Sequence, residues 1–438
     1  MSLLTYGVGE SKRWYYPISA FLMSALRIAP WALFYPHVQT AFNLDTTASI
    51  ILISTFTGLG SMIIGPPISG AILDKYGPKI PFVLSGIFAL SGYLILMVVL
   101  GKETWAEAQT LWYVGGFLIG LGAGFYSGSY TATVAKWFPD RLGTAMAVGG
   151  SGMSIGTMIL TPLIASFIVQ YGFTGNIFLI LGVVGFCAIT LLGVIAWRLP
   201  AADWKPQGMV VKARAAGQPV QEQKQYTFAE AIRDKRYWIL AGGFLGAAFS
   251  NMLFSQNATL IIIEGLTSVG MDRAEIMATV VPYYLSLTSF AGIFGTFFWG
   301  WVLDKLGPFV ALPLMYFISG VLIWVFYMGY TSVTLIYILG AILVLAMRGE
   351  GTLHYASVPA VFGRQHIGKI MSTLNSMSVG IGIAFGPFLG SYIKDITGGF
   401  KASLILAVSL RMMGTAFAII GYFLTKKEKE QAKSEAAA

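Results

Sequence analysis

Residues 70–78 read GAILDKYGP, and residues 300–308 read GWVLDKLGP. The same pattern, G-x-x-L-D-K-x-G-P, occurs twice, 230 positions apart, each time at the end of a long apolar run. A second set of matches follows in the same order at an offset of 225: Gly143, Met146, Ser151 and Pro162 correspond to Gly368, Met371, Ser376 and Pro387. Two ordered matches point to an internal duplication. A span of bilayer needs about 20 mostly apolar residues, and twelve such runs are present. They cover roughly 15–40, 47–73, 80–100, 110–135, 142–169, 175–197, 237–263, 275–302, 309–329, 332–360, 367–393 and 401–425. The duplication therefore relates six spans to six, with the same membrane orientation. The expected fold is an all-α membrane protein, twelve transmembrane helices in two six-helix bundles related by a pseudo-two-fold axis along the membrane normal.

Composition agrees. Of 438 residues, 56% are hydrophobic and only 11% charged, against about 25% charged in soluble domains. The runs are long and continuous, not the roughly ten-residue alternating segments of a membrane β-barrel. The first run carries Arg27 and Pro30 and is too long for a cleavable signal, so it is expected to remain as a span. With the N-terminus inside, 21 of the 28 Lys and Arg fall on inner segments, 4 on outer loops and 3 within spans. This asymmetry predicts a multi-pass protein of the cytoplasmic (inner) membrane with both termini cytoplasmic. The net charge of +9 thus reports topology and not nucleic acid. The domains expected are a bundle over 1–198, a cytoplasmic linker with a short helix over 199–235, a second bundle over 236–425 and a charged tail over 426–438. Within the linker, Thr227 and Glu230 form a capping box. The single cysteine, Cys187, excludes an internal disulfide, and no Cys/His metal spacing or Walker loop is present. No cofactor, metal or enzymatic constellation is expected.

Four charged residues lie well within spans: Arg27, Arg348, Glu350 and Arg411. Each costs about 2.5–3.5 kcal/mol at mid-membrane on insertion scales, so such residues pair or line a wet path. Three cations face one anion. At least one arginine is therefore left to seek another anion, snorkel or bind carbonyls, and a substrate carboxylate suits the guanidinium fork. On span 1, Ser24, Arg27, Trp31 and Tyr35 recur at helical spacing and share one face, as a small anion with an apolar body would require. The rival reading makes Trp31 and Tyr35 interfacial belt residues and Arg27 a brace. On span 10, LAMRGEGTLHY at 345–355 places Arg348 and Glu350 two apart, on different faces unless Gly349 and Gly351 permit a break. Thr352 and Tyr355 share the Arg348 face, and His354 the Glu350 face. Arg348 is then a substrate ligand and Glu350 with His354 a titratable pair able to carry a proton. The rival is a brace between Glu350 and Arg411. Asn251 and Ser255 on span 7, and Tyr126 and Tyr130 on span 4, are further candidate ligands. At an offset of 224 the two tyrosines align with Glu350 and His354.

The doubled G-x-x-x-D-K-x-G-P loop, with the topology and the linker, resembles the major facilitator superfamily over the whole chain. KWFPDRLGTAMAVGGSG at 136–152 and DKRYWIL at 234–240 look like its oxalate/formate exchanger and monocarboxylate transporter branch. That resemblance implies two bundles rocking about a cavity lined by helices 1, 4, 7 and 10. It also implies inner-loop latches, here Asp74, Lys75, Asp304 and Lys305 with Asp140 and Arg141 as partners. The chain departs from the branch in two places. Span 8 carries no basic residue between Arg273 and Lys305, and span 11 none between Lys369 and Lys394. The resemblance implies organic-anion transport without specifying oxalate.

The function expected is a secondary carrier moving a small organic anion, most simply a monocarboxylate, by alternating access, as proton symport or anion exchange. Its partners would be that anion, a co-transported proton in the symport case, and the lipid bilayer; a monomer is expected, and no nucleic acid. The alternatives are a proton-coupled efflux carrier for a neutral or cationic amphiphile, and a non-transporting receptor or scaffold.

Overall fold

The computed structural model describes residues 12–138, 141–200, 225–363 and 367–437. Among them are helices and no strands. Eleven are long and apolar enough to cross a membrane. These are span 1 (Lys12–Ala41), span 2 (Ala48–Tyr76), span 3 (Lys79–Val99), span 5 (Thr144–Tyr171), span 6 (Gly175–Ile195), span 7 (Lys235–Ser268), span 8 (Arg273–Leu303), span 9 (Pro308–Gly329), span 10 (Val333–Phe362), span 11 (Asn375–Thr397) and span 12 (Lys401–Lys426). Span 4, Trp105–Trp137, is a 33-residue helix rich in glycine.

The chain divides into two compact units, one of Met1–Pro30 with Phe56–Glu222, the other of Trp31–Thr55 with Gln223–Ala438. In the first unit, glycines bring backbones together. A Cβ on Gly65 would stand 2.8 Å from Cα of Gly124, which fixes a close crossing of spans 2 and 4. The second unit takes in the C-terminal part of span 1 and the start of span 2. There Asp395 of span 11 accepts from the Thr47 and Ala48 amides at 2.8 and 2.7 Å and from the Thr47 hydroxyl at 3.0 Å. It thereby caps the opening turn of span 2. Glu264 does the same for span 12 through the Phe400 amide at 3.1 Å.

The doubled loop has one geometry in both copies. Gly77 has φ +79° and Gly307 φ +73°, a left-handed conformation that glycine adopts without strain. Their amides donate to Leu73 and Leu303 at 2.8 Å in each case, closing the helix ends, and Pro78 and Pro308 bar continuation. Before span 7, Thr227 and Glu230 cap the short helix Phe228–Arg233 reciprocally. Asp234 then caps span 7 and pairs with Arg236 at 2.5 Å. Burial alone would raise the Asp234 carboxyl, but the Arg236 hydrogen bonds and charge hold it below its ordinary 3.8.

Two interruptions fall beside intramembrane arginines. Span 1 is helical over Tyr15–Leu26 and again over Trp31–Ala41. Pro30 lacks the amide needed there and steers its predecessor away from helix. Span 10 is helical over Val333–Met347 and from Glu350 to Phe362, with Arg348 and Gly349 forming a turn between.

Candidate functional site

The first unit contains one arginine deep in a span. Arg27 stands at the end of the first helical segment of span 1, with its guanidinium carbon 4.3 Å from the centroid of the Tyr126 ring. Tyr126 is buried, and its hydroxyl donates to the Ala20 carbonyl at 2.9 Å. That use of its only proton makes it the acceptor for Ser24 Oγ at 2.7 Å. Tyr93 of span 3 donates to the Ile28 carbonyl at 3.2 Å, beside the break. Tyr130 stacks on Tyr126 and donates to Met146 at 2.9 Å. Among the described residues no carboxylate reaches Arg27, and its Nε has no hydrogen-bond partner. A cation–π contact supplies about 0.5–2 kcal/mol, less than the cost of a charge at mid-membrane.

The break at Arg27–Pro30 corrects the single face expected for Ser24, Arg27, Trp31 and Tyr35. Helical phase does not carry across four non-helical residues. Ser24 stays with Arg27 through Tyr126, whereas Trp31 and Tyr35 belong to the other compact unit, where both are buried.

The second unit contains the other three charges. Arg411 of span 12 is fully buried, and its Nη2 lies 2.5 Å from Glu350 Oε1. Asn251 of span 7 lies beside Glu350. His354, one turn on, is buried flat against Phe244 with ring centroids 3.8 Å apart, and its Nε2 shares a short hydrogen bond with Tyr316 of span 9. Arg411 completes the cluster 5.9 Å from the Tyr316 ring. Glu350 and Arg411 are thus a buried ion pair across spans 10 and 12. Arg348 stands apart. It is exposed, and among the described residues no carboxylate pairs with it. Thr352 is half-buried and Tyr355 exposed, with Asn375 of span 11 beside Tyr355.

The remaining polar residues divide. Asn257 donates to Leu253 and Pro387 at 2.8 and 3.0 Å and accepts from Ser391 at 2.5 Å, a tie between spans 7 and 11. Ser250 donates to Ala407 of span 12 at 2.7 Å. Ser255 is half-buried. At the ends of spans 2 and 4, exposed Asp74 meets Lys136 at 3.4 Å. Lys75 lies over the Tyr76 ring, and Arg141 and Lys305 are exposed. Asp140 and the Asp304 side chain lie outside what is described. Sequence reasoning passed over Tyr93, Phe244, Tyr316 and Lys136, none of which carries a local signal of its tertiary contact.

The Major Facilitator Superfamily model matches residues 18–358. The chain belongs to the Major Facilitator Superfamily. Among curated relatives, it is 25% identical over 325 residues to the oxalate:formate antiporter of Oxalobacter formigenes, covering 72% of this chain and 69% of that one. It is 22% identical to monocarboxylate transporter 13 of Rattus norvegicus, covering 93% and 88%. Among solved structures, a bacterial homolog of the human lysosomal transporter Spinster, in an inward-facing and unoccupied conformation, superposes with a TM-score of 0.64. It is 14% identical and covers 95% of this chain and 98% of that one, a likeness of fold. The superfamily member described here is therefore a multi-pass transporter built of twelve helices in two bundles.

Proposed function

We propose that this transporter is a secondary carrier for a small organic anion, most simply a monocarboxylate, working by alternating access in the cytoplasmic membrane with both termini inside. The observation that carries the reading is a charge count with geometry attached. Of three arginines deep in spans, Arg411 is neutralised by Glu350, and Arg27 and Arg348 have no carboxylate among the described residues. A carboxylate substrate supplies the missing charge in a form the guanidinium fork grips. The names of the relatives, an oxalate:formate antiporter and a monocarboxylate transporter, support the same class.

Ser24 and Tyr126 hold Arg27 within the first unit, and Tyr355 borders Arg348 within the second. Tyr130 is a supporting residue, and so is Asn251 through Glu350. Ser255, half-buried, stays as a candidate ligand for a polar group of the substrate, whereas Trp31 and Tyr35 are buried and are set aside. Glu350 and His354 are the groups a coupled proton would meet. A proton taken by Glu350 would release Arg411, so symport through this residue couples protonation to the bracing of span 12. Asp74 with Lys136, and Lys75, Asp140, Arg141, Asp304 and Lys305, are the inner-loop gating candidates. An efflux carrier for a cationic amphiphile would need a free acid, and Glu350 is engaged.

The test is uptake by proteoliposomes of labelled formate, lactate, pyruvate, oxalate and benzoate, with and without an inward proton gradient. Accumulation of one of these acids supports the reading. Loss of gradient-driven uptake in Glu350→Gln with exchange retained identifies symport. Absence of uptake for every acid refutes the anion reading.

A further inference from the structure

Spans 8 and 10 run side by side in the same direction: Gly340 packs on Tyr284, Leu345 on Gly295, and Gly349 on Trp299. Trp299 Nε1 fixes this register by donating to the Leu345 carbonyl at 3.2 Å. One more contact sets the Arg348 side chain against span 8. A Cβ on Gly292 would stand 2.7 Å from Nε of Arg348, 3.1 Å from its Cγ and 3.4 Å from its Cδ. Helical side chains lean toward the N-terminus, so Arg348 reaches back along span 8 and lies across Gly292. The two glycines differ in what they admit. At Gly295 the nearest atoms are the span 10 backbone, whereas at Gly292 they are those of the Arg348 side chain.

The neighbourhood of this arginine is not that of a lipid-facing residue. Phe290, Phe294 and Phe297 of span 8 are exposed and apolar. The Arg348 stripe continues instead through Thr352 and Tyr355, the latter beside Asn375. A polar stripe at mid-span belongs to a wet path.

We propose that Gly292 is a positioning residue for the anion site: it seats the Arg348 guanidinium against span 8 and thereby sets the size of acid that Arg348 can bind. The proposal rests on Arg348 being an anion ligand. Any side chain at 292 lifts the guanidinium off the helix and into the space left for the substrate body. Misplacement by about 1 Å is enough to cost orders of magnitude in well-oriented sites. The effect should grow with the bulk of the acid.

The experiment measures uptake of labelled formate, lactate and benzoate by the full-length wild type, Gly292→Ala and Arg348→Ala, with melting temperature in detergent as a second readout. Gly292→Ala also goes into the Arg348→Ala background. Gly292→Ala is expected to raise KM for benzoate about tenfold and for formate least, with kcat within about twofold of wild type. It is expected to lower the melting temperature in wild type and not in Arg348→Ala, where the obstructing side chain is gone. Unchanged KM for all three acids, or an equal stability loss in both backgrounds, overturns the positioning role. If Arg348→Ala transports normally, or wild type moves none of the acids, the anion reading itself fails and the proposal with it. If Arg348→Ala abolishes uptake while Gly292→Ala changes nothing, only the proposal falls.

Discussion

Tyr126 and Glu350 occupy corresponding positions of the two repeats, and each lies against an arginine from another span. In the first unit Arg27 rests on a tyrosine ring, 4.3 Å from its centroid. In the second, Arg411 meets a carboxylate at 2.5 Å. The neighbouring pair differs in the same way: Tyr130 donates to a backbone carbonyl, and His354 is held between Phe244 and Tyr316. The first solution leaves the cation's charge largely uncompensated, since a ring quadrupole offsets only part of the desolvation cost. The second cancels it and leaves Arg348, two residues from Glu350, as the uncompensated charge. Duplication has thus been followed by a division in which each repeat keeps one arginine without a carboxylate, and only the second carries an additional internal brace.

The largest effect should come from breaking that brace. Arg411→Gln strands Glu350 in a buried site and should destabilise the protein by about 3–5 kcal/mol, read as a lowered unfolding midpoint in detergent. The double variant Glu350→Gln/Arg411→Gln should recover most of the loss. If it does not, Arg411 acts through packing and the contrast with the first unit weakens. Next comes the tyrosine. Tyr126→Phe keeps the ring under Arg27 but removes the acceptor of Ser24 and the donor to Ala20. The expected cost is about 1–3 kcal/mol, and Tyr126→Leu should cost more because the cation–π contact goes too. Equal losses would show that the ring contributes nothing to holding Arg27. Asp395→Asn should weaken the cap on span 2 by about 1 kcal/mol, measurable by the same denaturation. At the low end, Asp74→Asn should leave stability unchanged within error, because Asp74 and Lys136 are both exposed.

Span boundaries, the duplicated loop and the presence of intramembrane arginines were legible in the sequence because each depends on local composition or spacing. Gly77 and Gly307 are the clearest case: the motif states the positive φ that the helix ends require. The face from Ser24 to Tyr35 requires an unbroken helix, and the break at Pro30 removes the phase relation on which it depends. Glu350 with Arg411 was open to two readings, since one-dimensional spacing says nothing of which span-12 residue faces span 10. Gly292 could not have been found at all. Its role exists only where the side chain of another span crosses it, and glycine is common in spans for other reasons.

The central claim is that Arg27 and Arg348 are anion ligands, and equilibrium binding tests it without the complication of transport steps. The measurement is binding of labelled lactate, formate and benzoate to purified wild type, Arg27→Gln and Arg348→Gln, each checked for an unchanged melting profile. The account predicts that wild type binds at least one of these acids and that each arginine variant loses about tenfold or more in affinity for it. Wild-type affinity retained in both variants would contradict it and make both arginines structural.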